Sequence, residues 1–160
     1  MVSTLTAKTP LIKASKINQK SSVIHPLARF VTEETLALLF NVKPDEIYRI
    51  DCWRHVVYVH AKGVSKFVSY ADFPPIVAVE PPRLQDFFLW RKRWRNHLNS
   101  RNAPVFWTKF YQYQFNHAVT ELSLLAWGQL IAAVKSLFSA FSLEQLREAY
   151  KQEKYFWQNF

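Results

Sequence analysis

Ile47-Tyr48-Arg49-Ile50-Asp51-Cys52-Trp53, Val56-Val57-Tyr58-Val59-His60 and Val64-Ser65-Lys66-Phe67-Val68-Ser69-Tyr70 follow one another between positions 47 and 70. β-Branched and aromatic side chains suit the half-buried, pleated surface of a strand. Ala61-Lys62-Gly63 makes a credible hairpin connection, because Gly63 can take a positive φ at little cost. A turn at Trp53-Arg54-His55 completes a three-stranded antiparallel meander over about 46–72, although these residues include no Gly, Asn or Pro.

Outward from this stretch the texture changes on both sides. Phe73-Pro74-Pro75 and Glu80-Pro81-Pro82 bracket a connector that proline keeps out of helices and central strands. Beyond Pro82 the apolar residues recur at spacings of three and four, which predicts helices over about 83–157. The first runs from Arg83 to about Arg101 and is interrupted at Asn102-Ala103-Pro104. The next stretch, Val105 to about Phe141, is one long or two broken helices, with Trp127, Leu130, Val134, Leu137 and Phe141 as a buried seam. Ser142-Leu143-Glu144-Gln145 matches a capping box and predicts the start of a last helix. Ahead of the sheet, Thr32 is a good N-cap for Glu33-Glu34-Thr35-Leu36, with Asn41 as the stop.

The expected architecture is therefore α+β: a small antiparallel β-meander followed by a predominantly helical C-terminal half. Residues 23–160 form one domain. Residues 1–22, rich in Ser, Thr and Lys and free of acids, are expected to be a flexible basic tail.

Composition removes several function classes. The 160 residues include six Trp, seven Tyr and thirteen Phe but only two glycines, Gly63 and Gly128. A phosphate-cradling loop needs several glycines close together, so Walker-type and dinucleotide-binding readings are excluded. A single cysteine, Cys52, forbids an internal disulfide and any multi-cysteine metal site, and suits a reducing compartment. No run of 18 apolar residues predicts a membrane span. The expected location is cytoplasmic. The alternative is an organelle, reached through the acid-free N-terminus, which has the look of a transit peptide.

Charge is the informative feature. The chain carries 21 Lys and Arg against 12 Asp and Glu, a net charge of +9. Arg83, Arg91, Lys92, Arg93, Arg95, Arg101 and Lys109 face a single acid, Asp86, within residues 83–117. Such a field attracts a polyanion or an acidic surface. On a helical wheel Leu84, Phe87, Trp90, Trp94 and Leu98 share an arc, while the cations spread over the remainder. Two readings follow. In one, the arginines neutralise phosphates and unburied tryptophans stack on bases. In the other, the tryptophans anchor the core and the arginines solvate the outer side.

Other constellations are thinner. Pro44-Asp45 and His60-Ala61-Lys62 echo the divided acid-and-lysine pattern of metal-dependent nucleases, but a histidine stands where the second acid belongs and Asp51 is off the spacing. Cys52, His55 and His60 supply only three soft ligands, with Cys52 and His60 on one face if the strand is continuous. No Gly-x-Ser-x-Gly elbow exists. The C-terminal Tyr150, Tyr155, Phe156, Trp157 and Phe160 suggest a helix docked through Leu143, Leu146, Tyr150 and Trp157, with its final aromatics left as partner anchors.

The sequence thus predicts a non-enzymatic, regulatory nucleic-acid-binding protein. DNA or RNA phosphates would be met by Arg91, Lys92, Arg93, Arg95, Arg101 and Lys109. The alternative is an assembly factor that docks on an acidic protein or an anionic membrane surface and uses Phe156, Trp157 and Phe160 as partner contacts. No catalytic residue, metal site or cofactor is expected.

Overall fold

The computed structural model describes residues 15–160. Lys8 and Lys13 of the basic tail lie outside the described residues. The elements are β1 (Ile17–Gln19), α1 (Glu33–Phe40), β2 (Ile47–Cys52), β3 (Val57–Ala61), β4 (Val64–Val68), α2 (Leu84–Arg93), α3 (Val105–Asn116), α4 (Glu121–Val134) and α5 (Ala140–Asn159). The α+β class and the order of sheet before helices hold. The sheet itself is four-stranded and mixed, in the order β1-β2-β3-β4. β2, β3 and β4 form the antiparallel meander.

The added strand corrects the purely antiparallel expectation. β1 pairs parallel to β2, with Ile17 opposite Ile50 and Gln19 opposite Cys52. It falls inside the stretch expected to be an irregular tail. Lys16-Ile17-Asn18-Gln19-Lys20 contains one apolar residue, and a strand this short and lysine-flanked leaves no periodic signal. Lys16 also donates to the Pro44 carbonyl at 2.9 Å and approaches Glu33 at 3.5 Å, which ties this segment to the body.

Both hairpins form where the strands predict them. Gly63 has φ +73° in the β3–β4 turn. The β2–β3 turn closes without a turn-forming residue, through the Trp53 N–H to the Val56 carbonyl at 2.9 Å. β2 carries a bulge, because Ile47 pairs with Ala61 and Arg49 with His60. The extra residue lets Ile47 and Ile50 both face the core although they are three apart.

α1 begins at Thr32, whose hydroxyl accepts from the Thr35 N–H at 3.0 Å, and ends at Asn41 in the left-handed region, φ 56°. Residues 105–134 break into two helices at His117–Thr120. Thr120 caps the second, accepting from the Ser123 N–H. The last helix starts earlier than the capping-box pattern indicates. Ser139 is its N-cap and Ser142 already donates to the Ser139 hydroxyl at 3.1 Å. Phe141, expected in the seam, consequently points to solvent at 73% exposure, while Trp127, Val134 and Leu137 are buried.

The core joins sheet and helices through aromatic residues. Trp107 lies edge-on to both Trp90 and Trp94, with ring centroids 5.4 and 5.0 Å apart. The turn after β4, Tyr70–Asp72, and the proline-rich connector that follows it are held by side chains of the helices. Trp94 donates to the Ala71 carbonyl at 3.4 Å, Trp107 to Asp72 at 3.1 Å and Tyr111 to Pro75 at 2.6 Å. These bonds satisfy carbonyls of the turn and the connector that join no ladder. Trp90 Nε1 alone is buried with no partner among the described residues.

Candidate nucleic-acid interface

The basic block is built on α2. Asp86, its one acid, is buried and serves the fold. It accepts from the Arg83 backbone N–H at 2.9 Å, which caps the helix start, and pairs with Arg29. Arg29 in turn donates to the carbonyls of Glu80 and Pro81, each at 3.0 Å. The carboxylate is thereby neutralised inside the protein and does not offset the surface cations.

α2 opens into a π turn over Trp94–Leu98 and ends at Asn99, φ 49°. Trp90 and Trp94 are fully buried, so neither is free to stack on a base. The wheel arc needs a correction at its ends: Leu84 and Leu98 are 88% and 52% exposed. Phe30 and the Trp107 cluster cover only the middle of the helix.

Arg91, Arg95 and Arg101 converge. With Ser100, Asn102 and Ser136 they line an open cavity of about 520 Å³. Arg91 and Arg95 stand one helical turn apart and therefore on the same side. Ser100-Arg101-Asn102 folds back beneath them. The Ser100 N–H reaches the Trp94 carbonyl at 3.1 Å, and the Ser100 hydroxyl donates to the Asn102 carbonyl at 3.0 Å. The Ala103 N–H bonds the Leu137 carbonyl at 2.8 Å, which brings in the turn after α4. There Ser136 accepts from the Arg91 guanidinium at 3.0 Å. No carboxylate lines this cavity.

The other three candidates lie elsewhere. The Lys92 ammonium sits 5.9 Å from the ring centre of Phe88, an exposed side chain. The charge of Arg93 acts on Asp72, in the turn after β4. Burial pushes the Asp72 carboxyl up, and the Ser69 N–H, Arg93 and Lys66 pull it partly back. Lys109 is exposed on α3 and does not line the cavity. Five ion pairs occur among the described residues, and none includes Arg91, Lys92, Arg93, Arg95, Arg101 or Lys109.

Sequence reasoning missed Ser100, Asn102 and Ser136. Ser136 lies 45 residues from Arg91 and joins it only through the fold.

The nuclease echo is scattered. Asp51 is held by Arg49 at 3.1 Å and by Asn18 at 3.3 Å, while Lys62 faces Glu46 at 3.3 Å and His60 faces Ser65 at 2.8 Å. Asp45 is exposed in the turn before β2. Cys52 faces the core, where burial raises its thiol, whereas His60 points out from the opposite face and His55 is exposed in the turn. The bend at Trp53–Val56 is what separates Cys52 from His60. Among the described residues no three His, Cys, Asp or Glu are grouped so as to share a metal ion.

At the C-terminus, Leu146 is buried and Leu143, Tyr150 and Trp157 are half-buried, which docks α5 on the domain. Phe156 and Phe160 are 55% and 88% exposed and stack on each other at 5.2 Å. Among the described residues no helix is long and apolar enough to cross a membrane. Comparison with protein-family models, with curated proteins and with solved structures gives no match to this chain.

Proposed function

We propose that the protein is a non-enzymatic nucleic-acid-binding protein that holds backbone phosphates in the arginine-lined cavity. The observation that carries this reading is the convergence of Arg91, Arg95 and Arg101 on one open cavity without a carboxylate in its lining. Like charges brought together repel one another, and on a surface built only for solubility they are usually interleaved with acids. Among the described residues, none of Arg91, Arg95 and Arg101 is in an ion pair with a carboxylate. Guanidinium groups suit phosphate because their planar fork donates two parallel hydrogen bonds. The Asn102 side-chain amide and the Ser136 hydroxyl add neutral donors around the same space. Lys92 and Lys109 extend the field outside the cavity and contribute attraction rather than geometry.

The test is fluorescence anisotropy with labelled duplex DNA, single-stranded DNA and RNA. The variant carrying Arg91→Gln, Arg95→Gln and Arg101→Gln should lose at least tenfold in affinity at low salt while keeping its melting temperature. Wild-type affinity in a folded triple variant would refute the cavity.

A second reading, docking on an acidic protein partner, is favoured by a different surface. Between α4 and α5 runs a groove of about 510 Å³ floored by Phe115, Leu125, Ile131, Leu143 and Leu146. Lys135, Arg147 and Lys151 rim it. Leu122 and Leu125 on α4 are 78% and 44% exposed, on a helix that is apolar nearly all round. An amphipathic helix with an acidic polar face fits this groove. Designed peptides with acidic polar faces should bind and those with basic faces should not, and Leu125→Glu should abolish binding. Equal binding of both kinds would overturn it.

A further inference from the structure

The outward face of the sheet carries an aromatic surface that the core does not use. Period-two alternation and the strand register place Tyr58 beside Phe67 on one row, with Asp51 and Asn18 continuing it. The next row holds Arg49, His60 and Ser65. Tyr48, in the bulge, leans on His60 with ring centroids 5.3 Å apart, and Tyr58 lies at 5.3 Å from Phe67. Phe67 and Tyr48 are 62% and 51% exposed. The two aromatic pairs are thus two residues apart on β3, about 6.7 Å along the strand. That spacing is close to the separation of neighbouring bases in an extended, unstacked strand.

We infer that this face is a stacking platform for the bases of single-stranded nucleic acid, an assignment that rests on the nucleic-acid reading above and narrows it to unpaired strands. Three features favour bases over a hydrophobic protein surface. The outward positions of β1 to β4 hold rings and polar groups and no aliphatic side chain, and an apolar partner surface would bury those polar groups without the hydrogen bonds that base edges supply. The only carboxylate on the face among the described residues, Asp51, is buried and matched by Arg49 Nε at 3.1 Å, so it does not repel phosphate. The remaining Arg49 nitrogens donate to nothing among the described residues, and the guanidinium lies over the Tyr58 ring, 5.5 Å from its centre, as a cation for backbone phosphate next to the open Tyr48 and Phe67 rings. A duplex has its bases already stacked and offers this face only its edges and backbone. An unpaired strand offers π faces, which aromatic side chains accept with little regard to sequence.

Exposed Tyr48 and Phe67 permit a clean experiment on the full chain. Anisotropy is measured with oligothymidylate, with an abasic strand of equal length and with duplex DNA. Tyr48→Leu with Phe67→Leu keeps apolar bulk on the strands but removes two π faces. It should weaken oligothymidylate binding roughly tenfold or more while leaving abasic and duplex binding unchanged. Phe67→Tyr should retain wild-type affinity. Undiminished oligothymidylate binding by the folded double-leucine variant overturns the platform and leaves the arginine cavity standing. An equal loss on all three probes also overturns it, because the effect then does not act through bases. If the wild type binds none of the three, the platform and the phosphate reading fall together.

Discussion

Asp86 shows how a single residue changes the meaning of its neighbourhood. In the sequence it is the lone acid of a basic block. In the fold it is 2% exposed, caps α2 and is paired with Arg29. Removing one partner of a buried pair costs about 3–5 kcal/mol. Asp86→Ala should therefore lower the unfolding free energy in urea by that order, and a loss below about 1 kcal/mol would contradict the assignment. His25 makes a pH-dependent contribution. Its Nδ1 accepts from the Leu27 N–H at 3.0 Å and its ring stacks on Tyr70 at 4.1 Å. Burial lowers its pKa from 6.5, nearby His55 lowers it further, and Asp86 opposes both. The unfolded chain therefore takes up a proton first as pH falls. Stability from this group is complete above about pH 6.5 and declines below it, until the folded state also protonates. His25→Asn keeps a capping acceptor and should flatten that part of the urea-midpoint profile. An unchanged profile would remove His25 from the account.

At the scale of elements, the strands and most helix ends were legible because their signals are local. Thr32, Asn41 and Gly63 each act where their chemistry predicts. The failures have physical reasons too. β1 lacks an apolar pattern, and its existence depends on the ladder that β2 offers. The last helix presented two serines three residues apart, and only the local chain path selects Ser139 over Ser142 as the cap. Ser139→Ala should cost about 1 kcal/mol, the usual loss for a capping hydroxyl. Ser142→Ala, in the first turn of the helix, should stay within about 0.5 kcal/mol. The reverse order in thermal melts would restore the capping-box reading. Gly128 has a role that spacing does not reveal. A Cβ there would lie 2.5 Å from the Tyr150 ring, so its absence lets α5 close on α4.

Across the whole molecule, the charge excess was legible and its arrangement was not. Counting cations singled out residues 83–117 but could not distinguish Arg91, Arg95 and Arg101, which share a cavity, from Lys92, Arg93 and Lys109, which do not. That distinction depends on the π turn, the Ser100–Asn102 loop and Ser136 arriving from a distant helix junction. The aromatic residues divide in the same way. Trp90, Trp94 and Trp107 build the core, while Tyr48, Tyr58 and Phe67 gather on the outer sheet through register alone.

The central claim is that three guanidinium groups engage phosphates in one cavity, and the salt dependence of binding measures this most directly. Each phosphate neutralised on duplex DNA contributes about 0.9 to the slope of log affinity against log salt. Replacing Arg91, Arg95 and Arg101 by glutamine should make the slope shallower by roughly 2.7, whereas replacing Lys92 and Lys109 by glutamine should change it by less. Identical slopes for the wild type and the folded triple variant would contradict the account.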